Sequence, residues 1–121
     1  PINDAGNLLD ASSLAALAAL KNTRFPELEG EKVNYKVKTD KELELEKTPI
    51  AVTVIKIGDK FIVDPSTEEE KAIDARLTVS SIEDGTLCAM QKGGDFPLTV
   101  EDIDKMLEIG IEKAKELRKY L

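Results

Sequence analysis

Residues 50–79 read IAVTVIKIGDKFIVDPSTEEEKAIDARLTV, and the periodicities inside that stretch set the architecture. Ile50, Val52 and Val54 fall on one side of a two-residue repeat, with Ala51, Thr53, Ile55 and Ile57 on the other. The spacing predicts a strand with both faces partly covered. Gly58-Asp59 supplies a tight turn into Phe61-Ile62-Val63, which makes a hairpin. Asp64-Pro65-Ser66-Thr67 stops the return strand, and residues 68–73 suit either one helical turn or an acidic loop. Ala75, Leu77 and Val79 then alternate with Arg76, Thr78 and Ser80, and a turn at Glu83-Asp84-Gly85 leads into a strand over residues 86–91. A second hairpin is predicted there.

On the C-terminal side Gly93-Gly94 breaks the sheet, and Thr99 with Asp102 three residues later is a helix-start signature. Ile103, Met106, Leu107, Ile111, Ala114, Leu117 and Leu121 form one apolar stripe to the chain end. Acids at Glu101, Asp102 and Asp104 and bases at Lys113, Lys115, Arg118 and Lys119 complement the helix dipole. On the N-terminal side residues 32–38 alternate Val33, Tyr35 and Val37 with charged neighbours, predicting a half-exposed strand. Residues 41–46 alternate too, but their charge suits only an edge, and residues 22–30 read as a connection. Residues 7–20 are dense in Leu and Ala, the composition of a helix buried on most of its circumference. Such a helix needs cover from elsewhere, so the chain reads as one that lacks a preceding half. The sum is an α+β fold, a hairpin-built sheet with helices packed on one face.

With 121 residues, 41% of them hydrophobic, the chain suits one compact domain. A net charge of −7 argues against a surface that binds phosphate backbones throughout, since such affinity comes largely from Lys and Arg displacing counterions. Charged residues are 34% of the chain, with no His and no Trp, a usage that leans toward a thermophile. The single Cys88 excludes a disulfide framework and reads as a buried core thiol. No apolar stretch reaches membrane-span length and residues 1–7 lack signal-peptide features, so a soluble, cytoplasmic protein is expected.

Three groups are candidates for chemistry. Asp64, Glu68, Glu69, Glu70 and Asp74 have the composition of a cation or acid–base site, against the plainer reading of a solvated acidic turn. Gly6 precedes a helix start, a place where backbone N–H groups hold anions. Lys92-Gly93-Gly94 lacks phosphate-loop spacing and reads as a strand-to-helix turn.

At this point a resemblance enters. Residues 3–17 (NDAGNLLDASSLAAL), residues 63–79 and Gln91-Lys92-Gly93-Gly94 before an amphipathic helix are similar, in this order, to the second half of the RNase PH fold. Together they resemble the non-catalytic RNase PH-like subunits of the archaeal exosome, a 3′-to-5′ RNA-degrading ring. Residues 24–48 match only loosely. The resemblance implies that residues 1–23 close the first RNase PH-like half and that residues 24–121 form an RNase PH C-terminal-type domain. Active members cleave RNA with inorganic phosphate, holding it with a hydroxyl residue and an arginine at the helix start. Those positions here are Asn7 and Leu8, so the clamp is expected to be lost. Active members also place aspartates six and twelve residues beyond the position of Asp64; here these are Glu70 and Arg76. A guanidinium in place of the second carboxylate removes acid–base or metal-holding chemistry. The residue types favour an ion pair of Arg76 with Glu70 or Asp74 over a contact with RNA or a neighbouring subunit.

The resemblance thus implies no catalytic, phosphate-binding, cofactor or metal residue in this chain. It implies a catalytic RNase PH-like partner in a hetero-hexameric ring, RNA-binding cap subunits, and RNA contact through the assembly. Two other readings stand beside it: a phosphorolytic exoribonuclease in its own right, and an interaction module that self-associates through the surface a missing half would cover.

Overall fold

The computed structural model describes all residues, 1–121. Helix α1 (Leu8–Lys21) is followed by strands β1 (Arg24–Glu29) and β2 (Lys32–Glu42), then β3 (Ile50–Ile57) and β4 (Lys60–Val63). A five-residue helix α2 (Thr67–Lys71), strands β5 (Ala75–Ser81) and β6 (Leu87–Gly93), and the long helix α3 (Val100–Leu117) complete the order, with a final 3-10 turn Arg118–Tyr120. Both expected hairpins are present. They join into one antiparallel sheet in the order β4-β3-β5-β6.

The alternation read from residues 50–79 is what lets this sheet bury its centre. Val52 pairs with Val79 and Val54 with Leu77, so the two central strands present one continuous apolar face. Helices α1 and α3 both pack there. Leu17 and Ala114 close over Ile50 and Val52, while Met106 closes over Val54, Leu77 and Val79. Gly110 lets α3 approach closely, since a Cβ there would stand 3.2 Å from the Val79 Cβ. Thr99 and Asp102 form the expected capping box at the start of α3. Lys56 on β3 reaches the same Asp102, Nζ to Oδ2 2.6 Å, and ties sheet to helix.

Four expectations from the sequence need correction. Residues 24–29 are not a plain connection: they form β1, which pairs antiparallel with β2 in a separate two-stranded sheet. Pro26 and the charged neighbours masked its strand character, because the partner strand supplies the pairing. The edge element expected over residues 41–46 is only the end of β2, which stops at Glu42. Helix α1 is buried along one stripe rather than around its circumference: Asp10 and Leu17 are buried, whereas Leu9 and Leu20 are exposed. Cys88 is exposed, because β6 is the sheet's outer strand and no helix covers it. The expected helical turn at residues 68–73 is present as α2, capped by Ser66 and Glu69 in a capping box.

Candidate functional site

The four positions singled out by resemblance, Asn7, Leu8, Glu70 and Arg76, line one cleft of about 380 Å³. Asp4, Leu9, Thr53, Ile55, Pro65, Thr67 and Ile73 complete its wall. Thr53, Ile55 and Arg76 come from the sheet face opposite α3. The start of α1 and the turn into α2 form the rim. This juxtaposition depends on Gly6, which has φ +112° and lies so close to the Pro65–Thr67 backbone that a Cβ would stand 2.3 Å from the Pro65 carbonyl oxygen. The Thr67 N–H donates to the Ala5 carbonyl at 3.2 Å and completes the seam. Gly6 thus joins the two segments; it is more than a plain helix start.

Asn7 and Asp64 both sit in the left-handed region, at φ 53° and 55°, and Asn7 Nδ2 donates to Asp64 Oδ1 at 3.2 Å. Asn and Asp are among the few non-glycine residues that accept this conformation, and they collect at functional sites and close turns. The Asn7 side chain is therefore spent on Asp64 and does not cap α1, which has no side-chain cap. The Asn7 backbone N–H donates to Glu70 Oε1 at 2.8 Å. A carboxylate of the chain itself thus occupies the entrance to the helix, where a dipole and free N–H groups favour negative charge. Leu8 adds only an apolar wall.

The expected pairing of Arg76 with Glu70 or Asp74 does not occur. The chain's ion pairs are Arg24–Glu42, Lys56–Asp102, Lys113–Glu116 and Arg118–Glu83, and Arg76 belongs to none. Glu70 is engaged with Asn7, and Asp74 Oδ2 accepts the Gly58 N–H at 2.7 Å, so neither carboxylate is turned to the guanidinium. Instead the Arg76 stem lies flat on Gly93, where a Cβ would come within 2.5 Å of Nε. The Gly93-Gly94 pair is therefore a bed for Arg76 as well as a strand end. The acidic run does not converge on a cation either. Glu69 accepts the Ser66 N–H, Glu70 the Asn7 N–H, and Asp74 the Gly58 N–H, each at a different backbone donor.

Sequence reading passed over Asp10. Its carboxylate is buried and accepts from Thr53 twice, from the backbone N–H at 2.5 Å and from Oγ1 at 2.8 Å. Strand β4 ends too early to pair with β3 at Thr53, so α1 satisfies that edge with a side chain. A lone acid inside a Leu- and Ala-rich helix was the available signal.

With this geometry in place, the similarities to known proteins can be read. The model of the 3′ exoribonuclease family, domain 2, matches residues 47–113. The chain belongs to that family. The 3′ exoribonuclease match covers β3 through most of α3, the sheet and helix on which the cleft is built. Exosome complex component Rrp42 of Methanothermobacter thermautotrophicus is 42% identical over 96% of this chain and 44% of its own length. The Rrp42 of Thermoplasma acidophilum is 43% identical over 93% of this chain and 41% of its own length. Two solved structures superpose on almost the whole chain: the Archaeoglobus fulgidus exosome with RNA bound to the active site, TM-score 0.80, and an archaeal exosome core, TM-score 0.81. Each is 39% identical over 98% of this chain, and the chain covers 44% and 46% of theirs. This 3′ exoribonuclease-family chain therefore spans less than half the length of the relatives it matches. None of its helices is long and apolar enough to cross a membrane.

Proposed function

We propose that this chain acts within a non-catalytic, Rrp42-like subunit of an archaeal-type exosome, a cytoplasmic ring that degrades RNA from the 3′ end. Its role is to help assemble the ring and to structure the active site of a catalytic RNase PH-like partner, with cap subunits and RNA engaged through the whole complex. Residues 1–23 close the first RNase PH-like half and residues 24–121 form the second. The observation that carries the non-catalytic reading is Arg76, laid on Gly93 in the cleft it shares with Asn7 and Leu8, a guanidinium where active members would place a carboxylate. Leu8 brings neither charge nor donor for phosphate, and a guanidinium cannot do the acid–base work of the carboxylate it replaces.

The test is phosphate-dependent shortening of oligo(A) by the sequence carried in a chain of its relatives' length. Alone it is expected to be inactive; mixed with a catalytic RNase PH-like subunit it is expected to form a ring-sized complex that degrades the RNA. Phosphorolysis by the chain alone would overturn the reading in favour of an enzyme in its own right. Arg76→Asp by itself is expected to leave the chain inactive, because Asn7 and Leu8 still lack the hydroxyl and the arginine of a phosphate clamp. Activity in that single variant would show that the start of α1 has been misread.

A further inference from the structure

The turn between β5 and β6 holds a reactive dipeptide. Asp84-Gly85 is the chain's one Asp-Gly step, and there is no Asn-Gly. A glycine has no side chain to shield its backbone nitrogen, so in such a step the nitrogen reaches the preceding carboxyl most easily. When the Gly85 nitrogen attacks the Asp84 Cγ, a carbon–nitrogen bond forms, the carboxyl hydroxyl and the amide proton leave as water, and a succinimide ring results. Water then opens the ring. Addition at Cγ restores aspartate, whereas addition at the Asp84 backbone carbonyl leaves the chain running through Cβ and Cγ, which is isoaspartate.

The fold engages both reacting groups. The Gly85 N–H donates to the Ile82 carbonyl at 3.0 Å, and the Thr86 N–H donates to Asp84 Oδ1 at 2.8 Å. The Ile82 N–H to Thr86 carbonyl bond, 3.0 Å, closes the turn around them, with Gly85 at φ +86°. The Thr86 backbone N–H, and after it the Thr86 hydroxyl, hold the Asp84 carboxyl below the ordinary aspartate range. The protonated acid, the form that can give up its hydroxyl, is therefore scarcer in the fold than in a free chain.

This turn also fastens distant segments. Glu83 Oε1 accepts the Thr48 N–H at 2.8 Å and the Thr48 hydroxyl as well. Arg118, beyond the end of α3, donates to the Thr48 carbonyl and hydroxyl and, at 2.9 Å, to the Ser81 carbonyl where β5 ends. Glu83 and Arg118 stand 3.9 Å apart. The segment before β3, the end of β5 and the C-terminal turn thus meet on the residues that flank Asp84. Isoaspartate inserts one more atom into the main chain there, so the Ile82–Thr86 pairing and the placement of Glu83 cannot both be kept.

We propose that Asp84-Gly85 is a latent site of isoaspartate formation, kept closed in the fold by the Ile82 and Thr86 hydrogen bonds, and that its conversion unfastens Thr48 from the turn. The site is separate from the cleft, and the inference does not depend on the function proposed above.

The test is ageing of the 121-residue chain in warm neutral buffer, with isoaspartate at residue 84 read by peptide mapping and mass spectrometry. The folded chain, the chain unfolded in urea and a free peptide of residues 81–90 are compared. The unfolded chain and the peptide should convert alike, and the folded chain at least about tenfold more slowly, because conversion there waits for the turn to open. In urea too dilute to unfold the chain, conversion should rise in parallel with hydrogen exchange at the Gly85 and Thr86 amides. Chain carrying isoaspartate, separated by ion exchange and checked for fold by far-UV circular dichroism, should lose exchange protection at the Thr48 amide while β3 keeps its own. Asp84→Glu cannot close the five-membered ring, so its Thr48 protection should not change with ageing. The proposal is overturned by a folded chain that converts as fast as the peptide, by conversion that does not follow exchange at the two turn amides, or by a modified chain whose Thr48 amide stays protected.

Discussion

Asp10 shows how one side chain can hold two elements together. Its carboxylate satisfies the Thr53 N–H and hydroxyl inside the protein, and Thr53 Oγ1 in turn lies 2.8 Å from Thr78 Oγ1 on the next strand. Asp10→Ala strands a buried backbone donor and is expected to lower stability by about 1–3 kcal/mol, read as a lower urea midpoint. Gly6 is equally constrained, but by space. Gly6→Ala puts a methyl against the Pro65 carbonyl and strains a backbone at positive φ, so α1 should detach from the turn before α2. Loss of hydrogen-exchange protection at the Thr67 amide, ahead of any global unfolding, would report that. Unchanged protection there would mean that the seam does not depend on this glycine.

At the scale of elements, α3 is held to the sheet by apolar contact along its stripe and by one polar tie at its start. The Lys56 ammonium, and after it the Thr99 backbone N–H, hold the Asp102 carboxyl below the ordinary aspartate range. A depressed native value means that the tie stabilises the fold above the unfolded aspartate value near about 4, and that this contribution fades as acid protonates Asp102. Wild type should therefore lose stability on acidification more steeply than Lys56→Met, with the two curves converging at the acid end. Parallel curves through that range would remove Lys56 from the account. Lys113 runs the other way: its ammonium is raised by Glu116, so that contribution is present below the ordinary lysine range and is lost only in strong alkali.

The whole molecule divides into a packed core and a free arm. Arg24 and Glu42 face each other at the base of the hairpin, so the arm can be cut away and the ends joined by a short turn. The core should keep its urea midpoint after this deletion, because the apolar clusters under α1 and α3 contain no residue of β1 or β2. In the intact chain, amides of residues 24–42 should exchange faster than those of β3 and β5. A core that melts with the arm would show that the hairpin supports the sheet after all.

What the sequence determined by itself is the part of the fold written in short-range pattern. The alternation from Ile50 to Val79, the turn at Gly58-Asp59 and the capping box at Thr99 each describe residues that touch near neighbours, and each was found where pattern placed it. The four site positions were legible only through resemblance, because Asn7 and Glu70 are 63 residues apart and nothing in composition brings them together. Tertiary structure decided the rest. It spent Glu70 and Asp74 on backbone donors, left Arg76 without the expected ion pair, put Cys88 on an outer strand and drew residues 24–29 into a strand. The physical reason is the same in each case: a side chain's partner is set by which groups the folded backbone leaves unsatisfied within reach, and that is known only once distant segments have met.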